Sequence, residues 1–259
     1  MNTEDFYKLS GIMSAHDWPS FKKELAYRYG IATSQHYRTA HEQYNSNWTQ
    51  ADFDYAFNEY GFRDGPVQHT VDTCYYGCSI TMGDGVPQAD RWTSCMDQQH
   101  TWTSNNFAIA GTGIEECLYM FVQTARLVQM KRAVFFLPDA SRYTVAVPQD
   151  SDNITYNNIY ANNFEQLKHT ELRRTAELLY RLPDTYSIDR ARTAINLIRC
   201  IAELHNIQVI LGSWSTTVFD LLQHTPDHRP VQLDRAGRDA LHPGTAYHGQ
   251  VADQFGQLL

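Results

Sequence analysis

Two short segments far apart in the sequence carry residue types that could perform nucleophilic catalysis together. The first reads GCSITMG at residues 77–83, and the second reads DALHPG at residues 239–244. A serine hydroxyl becomes a nucleophile when an imidazole accepts its proton, and a carboxylate beside the imidazole fixes the ring tautomer and stabilises its protonated form. Ser79, His242 and Asp239 are therefore the candidate nucleophile, base and orienting acid.

Each segment alone also has an ordinary structural explanation. Gly and Ser commonly begin helices as N-caps, and an Asp-x-x-His pair is common on protein surfaces. The spacing nevertheless suits catalysis, because a carboxylate three residues before an imidazole can reach the ring within one turn. The other ring nitrogen is then free to take a proton from a serine.

The elements that must position these residues are indicated by the texture of the chain. From Val71 onward, short apolar runs alternate with longer amphipathic stretches, which is typical of βαβ units and a mainly parallel sheet. Ligands bind such a sheet at the carboxyl ends of its strands, and Ser79 follows the first predicted strand. The predicted strands are 73–77, 106–110, 133–137 and 208–212, with a short fifth strand at 230–233. The predicted helices are 18–29, 113–130, 163–182, 188–206 and 244–257.

The bulk composition limits the domain organisation and the class of function. The chain of 259 residues suits one α/β domain, residues 71–259, with an N-terminal extension, residues 1–70, packing on it. With 21 basic and 29 acidic residues, the formal charge of -8 argues against a nucleic-acid partner. The residues do not indicate an oligomeric state.

The five cysteines and the N-terminal residues further limit the class. The cysteines lack the paired spacing of a metal site, so they are expected to be reduced thiols, and no metal is predicted. The sequence shows no charged leader and no apolar run of membrane-spanning length. It therefore favours a cytoplasmic protein without a membrane partner.

The two segments taken together, in this order, resemble the SGNH (GDSL-type) hydrolase family. The first is similar to a Gly-Cys-Ser variant of the family's first block, with Cys78 in place of the usual Asp. Three further stretches agree with the resemblance, which covers about residues 55–259. Residues 83–92 (GDGVPQADRW) are similar to the family's Gly-x-Gly-Val followed by Trp, residues 58–64 (NEYGFRD) to a lead-in of members with an N-terminal extension, and residues 106–111 (NFAIAG) to the second block.

The resemblance implies a fold, an activity and a role for each residue. The fold would be a flavodoxin-like three-layer α/β/α sandwich with a mainly parallel sheet of about five strands. The activity would be cleavage of an ester, such as an acyl or acetyl group on a carbohydrate, through the triad of Ser79, His242 and Asp239. The N–H groups of Ser79 and Gly111 would stabilise the oxyanion. No cofactor is needed.

The sequence departs from the family after the third predicted strand. Members usually have Gly-x-Asn-Asp there, and the Asn side chain donates a further hydrogen bond to the oxyanion, whereas this chain reads LPDASRY at residues 137–143. Loss of one such donor costs on the order of a hundredfold to a thousandfold in rate. Ser141 and Arg142 are the candidate substitutes, and Arg142 could instead bind an acidic group of the substrate. Trp214, just after the fourth predicted strand, is expected near the substrate.

Two other functions fit parts of the pattern. The departure from the family after the third predicted strand, the altered third block, is also compatible with a module of the same fold that binds a glycan without cleaving it. A thiol hydrolase with Cys78 as the nucleophile is a further alternative. Cys78 and Ser79 are adjacent at a strand end, so their side chains should point in different directions, which turns Cys78 toward the core or a neighbouring loop.

Overall fold

The computed structural model of the protein describes residues 17–29, 55–148, 154–159, 170–222 and 242–258. Its strands are β1 (Thr70–Gly77), β2 (Ser104–Asn106), β3 (Gln129–Leu137), β4 (Tyr143–Pro148), β5 (Ile154–Ile159) and β6 (Gln208–Ser213). Four of them form a parallel sheet in the order β2-β1-β3-β6. β4 and β5 form a separate antiparallel pair.

Helices connect the strands and cover the parallel sheet. They are α1 (Trp18–Tyr29), α2 (Ser79–Met82), α3 (Trp92–His100), α4 (Ile114–Leu127), α5 (Thr170–Leu179), α6 (Asp184–His205), α7 (Thr216–Leu222) and α8 (Thr245–Gly256). A turn of 3-10 helix, Gln88–Asp90, precedes α3. None of the helices within the described ranges combines the length and the apolar character needed to cross a membrane.

The strands alternate their side chains between two apolar layers, as a sheet covered on both faces requires. On one face Tyr76, Phe135 and Leu211 join a core with residues of α1, α4, α6 and α7. On the other face Tyr75, Phe136 and Ile210 pack with α3 and α8. The α/β class with a mainly parallel sheet between helical layers is therefore confirmed.

Several predicted boundaries differ from the observed ones. The second strand ends at Asn106, and residues 107–110 form a loop, so the prediction of a strand through 110 is wrong. This loop still follows β1, because the N–H of Phe107 donates to the carbonyl of Tyr75 (2.9 Å). The helix predicted at 113–130 ends at Leu127, because the chain then enters β3, where Met130 pairs with Val71 of β1.

Other predictions lie partly or wholly outside the described residues. The proposed fifth strand at 230–233 is among them, and so is the beginning of the helix predicted at 163–182, which is described as α5 and a turn through residue 182. The sequence interpretation also missed α3, α7 and the β4–β5 hairpin. The hairpin packs on α5 through Tyr143 and Ile159 against Leu172 and Ala176.

Candidate active site

The tight connection between β1 and α2 puts Ser79 at the carboxyl edge of the sheet. An added Cβ on Gly77 would lie 2.1 Å from Oγ1 of Thr81 and 2.8 Å from the carbonyl oxygen of Phe136. Only glycine therefore lets the helix begin so close to the end of the strand. Ser79 is the first residue of α2 and retains 6% of its exposure.

The two neighbouring residues that could act as nucleophiles have different surroundings. Cys78 is fully buried, in agreement with the expectation that its thiol points away from the cleft. Its sulfur is 4.0 Å from Oγ of Ser79, a long and weak contact. Of this pair, Ser79 is the residue that keeps some exposed surface.

The loop after α2 folds back onto the backbone of Ser79. The N–H groups of Gly83 and Asp84 both donate to the carbonyl of Ser79, each at 2.9 Å. Gly83 and Gly85 have φ of 89° and 80°, a left-handed conformation that favours glycine. Asp84, between them, is 2% exposed, so its carboxylate is directed into the protein.

The lead-in segment 58–64 holds this loop from the other side. The guanidinium of Arg63 donates to the carbonyl of Gly83 and to that of Val86, the latter at 2.8 Å. Arg63 also stacks on the ring of Tyr55 (3.8 Å to its centroid), and the hydroxyl of Tyr55 accepts the N–H of Gly85 at 2.8 Å. Arg63 and Tyr55 thus form a buried clamp on the loop that follows Ser79. Arg63 belongs to the segment that is similar to a family lead-in.

The clamp is itself anchored to the beginning of α3. Arg91 donates to the carbonyl of Arg63 and to the carboxylate of Asp64, at 2.6 Å in the second case. The other oxygen of Asp64 accepts the N–H of Asn106 at 2.8 Å. These charge-assisted bonds connect the lead-in, β2 and α3 around the candidate site.

The structure brings His242 to the same loop. His242 lies just before α8, its side chain is 23% exposed, and its Nε2 is 3.9 Å from Oδ2 of Asp84. Among the described residues, the hydroxyl of Ser79 makes no hydrogen bond to this imidazole; its contact is the one with Cys78. Asp239 lies outside the described residues, so its predicted contact with His242 stays a prediction.

A second histidine lies behind the first and has a structural role. His248 is completely buried on α8, and its Nδ1 accepts the N–H of Trp92 at 3.0 Å. Burial, together with the nearby charges of Arg63, His242 and Arg91, lowers the pKa of His248 to about 3. The ring is therefore neutral and ties α8 to the beginning of α3.

The loop from β2 to α4 carries Gly111 along the end of β1. The N–H of Ile109 donates to the carbonyl of Gly77 at 3.3 Å. The side chain of Asn106 donates to the carbonyl of Thr81 at 2.8 Å and accepts the N–H of Ala108 at 3.0 Å. Gly111 follows with φ of 78°. The predicted second oxyanion donor is thus on a loop bonded to both β1 and α2.

The loop after β3, residues 138–142, contains a carboxylate that accepts hydrogen bonds. Asp139 accepts the N–H and the hydroxyl of Ser141 at 2.8 and 2.6 Å, and the hydroxyl of Ser215 at 2.5 Å. Burial alone would raise the pKa of Asp139, but these hydrogen bonds and the charge of Arg142 lower it overall. An ionised carboxylate cannot donate to an oxyanion, and the hydroxyl of Ser141 is already occupied.

The remaining two candidates of this region lie together. Cζ of Arg142 is 5.3 Å from the centroid of the Trp214 ring, which is within cation–π range. Trp214 directly follows β6, and Arg142 lies at the end of the loop that connects β3 to β4. They form one polar and aromatic surface at the carboxyl edge of the sheet.

Sequence reasoning missed two residues of this region. Asp84 and Ser215 contact His242 and Asp139, and neither was predicted in the site. The signal for Asp84 was a carboxylate between two glycines directly after the turn that carries Ser79. Within the described ranges, no group of three or more His, Cys, Asp or Glu side chains could hold a metal ion.

Comparisons with known proteins concern the fold alone. No protein-family model matches the sequence, and no curated protein is significantly similar to it. Similar solved structures include a psychrotrophic esterase from Pseudoalteromonas sp., with 12% identity and a TM-score of 0.45 over 73% of this chain and 96% of that chain. A carbohydrate esterase family 2 enzyme with a carbohydrate binding domain, from Corynascus thermopiles (Myceliophthora fergusii), has 13% identity and a TM-score of 0.44 over 75% and 68%.

An acetyl xylan esterase from the rumen bacterium Butyrivibrio proteoclasticus has 12% identity and a TM-score of 0.43. The match covers 75% of this chain and 64% of that chain, so this chain spans somewhat less than two thirds of that protein. Similarity at these levels carries no argument about activity, so the function of this chain has to be argued from its own residues.

Proposed function

We propose that the protein is a serine hydrolase that cleaves an ester bond, with Ser79 as the nucleophile, His242 as the general base and Asp239 as the residue that orients His242. The observation that carries the proposal is the approach of His242 to the loop that folds back on Ser79, through Asp84. A serine at a tight strand-to-helix turn with an imidazole nearby suits acyl transfer.

The reaction follows from these roles. Oγ of Ser79 attacks the acyl carbon while Nε2 of His242 takes its proton, and the N–H groups of Ser79 and Gly111 stabilise the tetrahedral oxyanion. The bond to the alcohol then breaks, and the alcohol leaves with the proton from His242. A water molecule, deprotonated by His242, attacks the acyl-enzyme, which releases the acid and restores the hydroxyl of Ser79.

The proposed nucleophile and base, both among the described residues, are not hydrogen-bonded to each other in the structure. The hydroxyl of Ser79 makes no described hydrogen bond to His242, and the ring of His242 is partly exposed. Catalytic hydrogen bonds are often long without substrate and shorten in the complex. Since His242 lies before the first residue of α8 rather than within the helix, its side chain can adjust when a substrate is bound.

The surface of Arg142 and Trp214 supports an ester of a polar alcohol as the substrate. A guanidinium next to an aromatic face offers hydrogen-bond donors and a flat apolar contact together. A carbohydrate with an acyl or acetyl group has the matching hydroxyls and ring faces. Arg142 could also assist the oxyanion, because Asp139 supplies no donor there.

Hydrolysis of p-nitrophenyl acetate by matched serine variants tests the proposal. We expect Ser79→Ala to lower kcat by on the order of a thousandfold or more, because the variant lacks the proposed nucleophile. Ser141→Ala is the control and should retain most of the rate, because its hydroxyl is bonded to Asp139. Equal rates for wild type and Ser79→Ala would contradict the proposal.

A glycan-binding module without catalysis is the second candidate. Asp139 favours it, since an ionised acceptor stands in the turn where the family has an amide donor. This function requires carbohydrate binding that survives Ser79→Ala and His242→Ala, measured by calorimetry, with no ester cleavage by the wild type. Cleavage that disappears in both variants would exclude it.

A further inference from the structure

A buried carboxylate that the proposed triad does not use lies beside the proposed base, on the loop that folds back onto Ser79. Asp84 is 2% exposed, and its Oδ2 is 3.9 Å from Nε2 of His242. The N–H of the same residue donates to the carbonyl of Ser79 at 2.9 Å. Asp84 therefore contacts the backbone of the nucleophile and faces the reactive nitrogen of the base.

The position of this carboxylate is fixed by its surroundings. The carbonyls of Gly83 and Val86, on the two sides of Asp84, accept hydrogen bonds from the buried guanidinium of Arg63. The N–H of Gly85 is bonded to Tyr55. A carboxylate on such a rigid loop acts on a neighbouring ring without first losing conformational entropy.

A second titratable group among the described residues also interacts with His242. His248, on α8, interacts electrostatically with His242 but is held neutral by burial. Arg63 and Arg91 contribute positive charge around His248. Asp84 is a carboxylate that faces the ring of His242 directly, while Asp239 lies outside the described residues.

We propose that Asp84 is a positioning residue of the hydrolase site, which stabilises the protonated form of His242 and holds its ring beside the Ser79 turn. The inference rests on the proposed function, since it assumes that His242 is the base. An opposite charge at about 4 Å favours the charged form of an imidazole by one or more pH units, and the partial exposure of His242 puts the effect at the lower end.

An NMR titration of the His242 ring in the resting full chain tests the electrostatic part without any substrate. We expect Asp84→Asn, which keeps the shape and removes the charge, to lower the pKa of His242 by about one unit. The same shift should appear in an Asp239→Asn background, because the two carboxylates act on the ring separately. Asp253→Asn is the control, since it removes an exposed carboxylate on α8 and should leave the titration unchanged. An unchanged pKa of His242 in Asp84→Asn would overturn the proposal.

The pH profile of ester hydrolysis tests the functional part. Loss of the charge should shift the acidic limb of kcat/KM about one unit downward, because His242 then loses its proton at lower pH. An acidic limb that stays in place while His242→Ala abolishes turnover would also overturn the proposal.

A second variant and a second readout keep the two proposals separable. If Asp84→Asn does not fold, Asp84→Ser removes the same charge with a smaller side chain, and the same shift of the His242 pKa is expected. If the NMR shift occurs but the wild type hydrolyses no ester, the pairing of Asp84 and His242 holds and the hydrolase proposal fails. If hydrolysis depends on Ser79 but the titration does not depend on Asp84, only the role of Asp84 is rejected.

Discussion

At the scale of single residues, the candidate site depends on a glycine, Gly77, whose lack of a side chain lets α2 begin close to the end of β1. The contact that a Cβ on Gly77 would make with Thr81, at 2.1 Å, is much shorter than any stable packing distance. The sequence shows a glycine at this position but not why a glycine is required there. The requirement comes from the close approach of Thr81 and the carbonyl of Phe136, which only the fold reveals. In the same way, Ser79 was predicted from its neighbours along the chain, whereas Asp84 emerged only from its contact with His242.

We expect Gly77→Ala to distort the nucleophile turn. Relief of the clash requires a shift of α2 or β3, which should cost about 1–3 kcal/mol in the free energy of unfolding and remove most of the proposed esterase activity. Urea denaturation and p-nitrophenyl acetate hydrolysis measure the two effects. Gly249→Ala is the matched control, because an added Cβ there meets no atom within 4 Å. Full activity of Gly77→Ala would show that the turn tolerates a side chain.

At the scale of elements, the long helices and central strands were predictable and the short ones were not. The helix at 18–29 and the strands ending at 77 and 137 follow from their apolar patterns. The strand β2 was placed too late, because the loop after it keeps hydrogen bonds to β1 that have no signature in one sequence. α3 was missed, although it begins with Trp92, whose N–H donates to His248 on α8, the helix that follows His242.

The contact of α8 with α3 should make the protein sensitive to acid. The pKa of His248 is about 3 in the folded state, below its ordinary 6.5, so its contribution to stability is complete above pH 6.5 and is lost as the pH falls toward 3. Each pH unit below 6.5 costs about 1.4 kcal/mol, so the loss at pH 5 is about 2 kcal/mol. We expect His248→Asn to remove this loss, measured by urea unfolding at pH 7.5 and pH 5.

The comparison between variants isolates His248 from other titrating groups. Burial raises the pKa of Asp97 to about 6, so its contribution to stability changes in the opposite direction, falling as the pH rises from its ordinary value of 3.8 toward 6. An identical pH dependence in His248→Asn and wild type would contradict the assignment.

At the scale of the whole molecule, the sequence indicated the α/β class and the site edge but not how the N-terminal residues join the core. Phe21 and Leu25 of α1 and Phe62 of the lead-in are buried in the same apolar cluster as Tyr76 and Phe135 of the sheet. Composition alone could not reveal this packing, because it depends on contacts between residues far apart in sequence.

This shared core should make the N-terminal segment part of one cooperative unit. We expect Phe21→Ala to lower the free energy of unfolding by about 3–5 kcal/mol, since the ring is fully buried among aromatic neighbours. Thermal unfolding should remain a single transition. Leu178→Ala, at a side chain that is 65% exposed, is the control and should change stability by less than about 0.5 kcal/mol. Two separate transitions would indicate an extension that folds independently.

The nucleophile is the central claim, and the site of covalent labelling tests it most directly. After treatment with a fluorophosphonate, peptide mass spectrometry should find the phosphonyl group on Ser79. Labelling should disappear in Ser79→Ala, fall strongly in His242→Ala and persist in Cys78→Ala. Modification of a different residue, or no modification of a folded wild-type protein, would contradict the account.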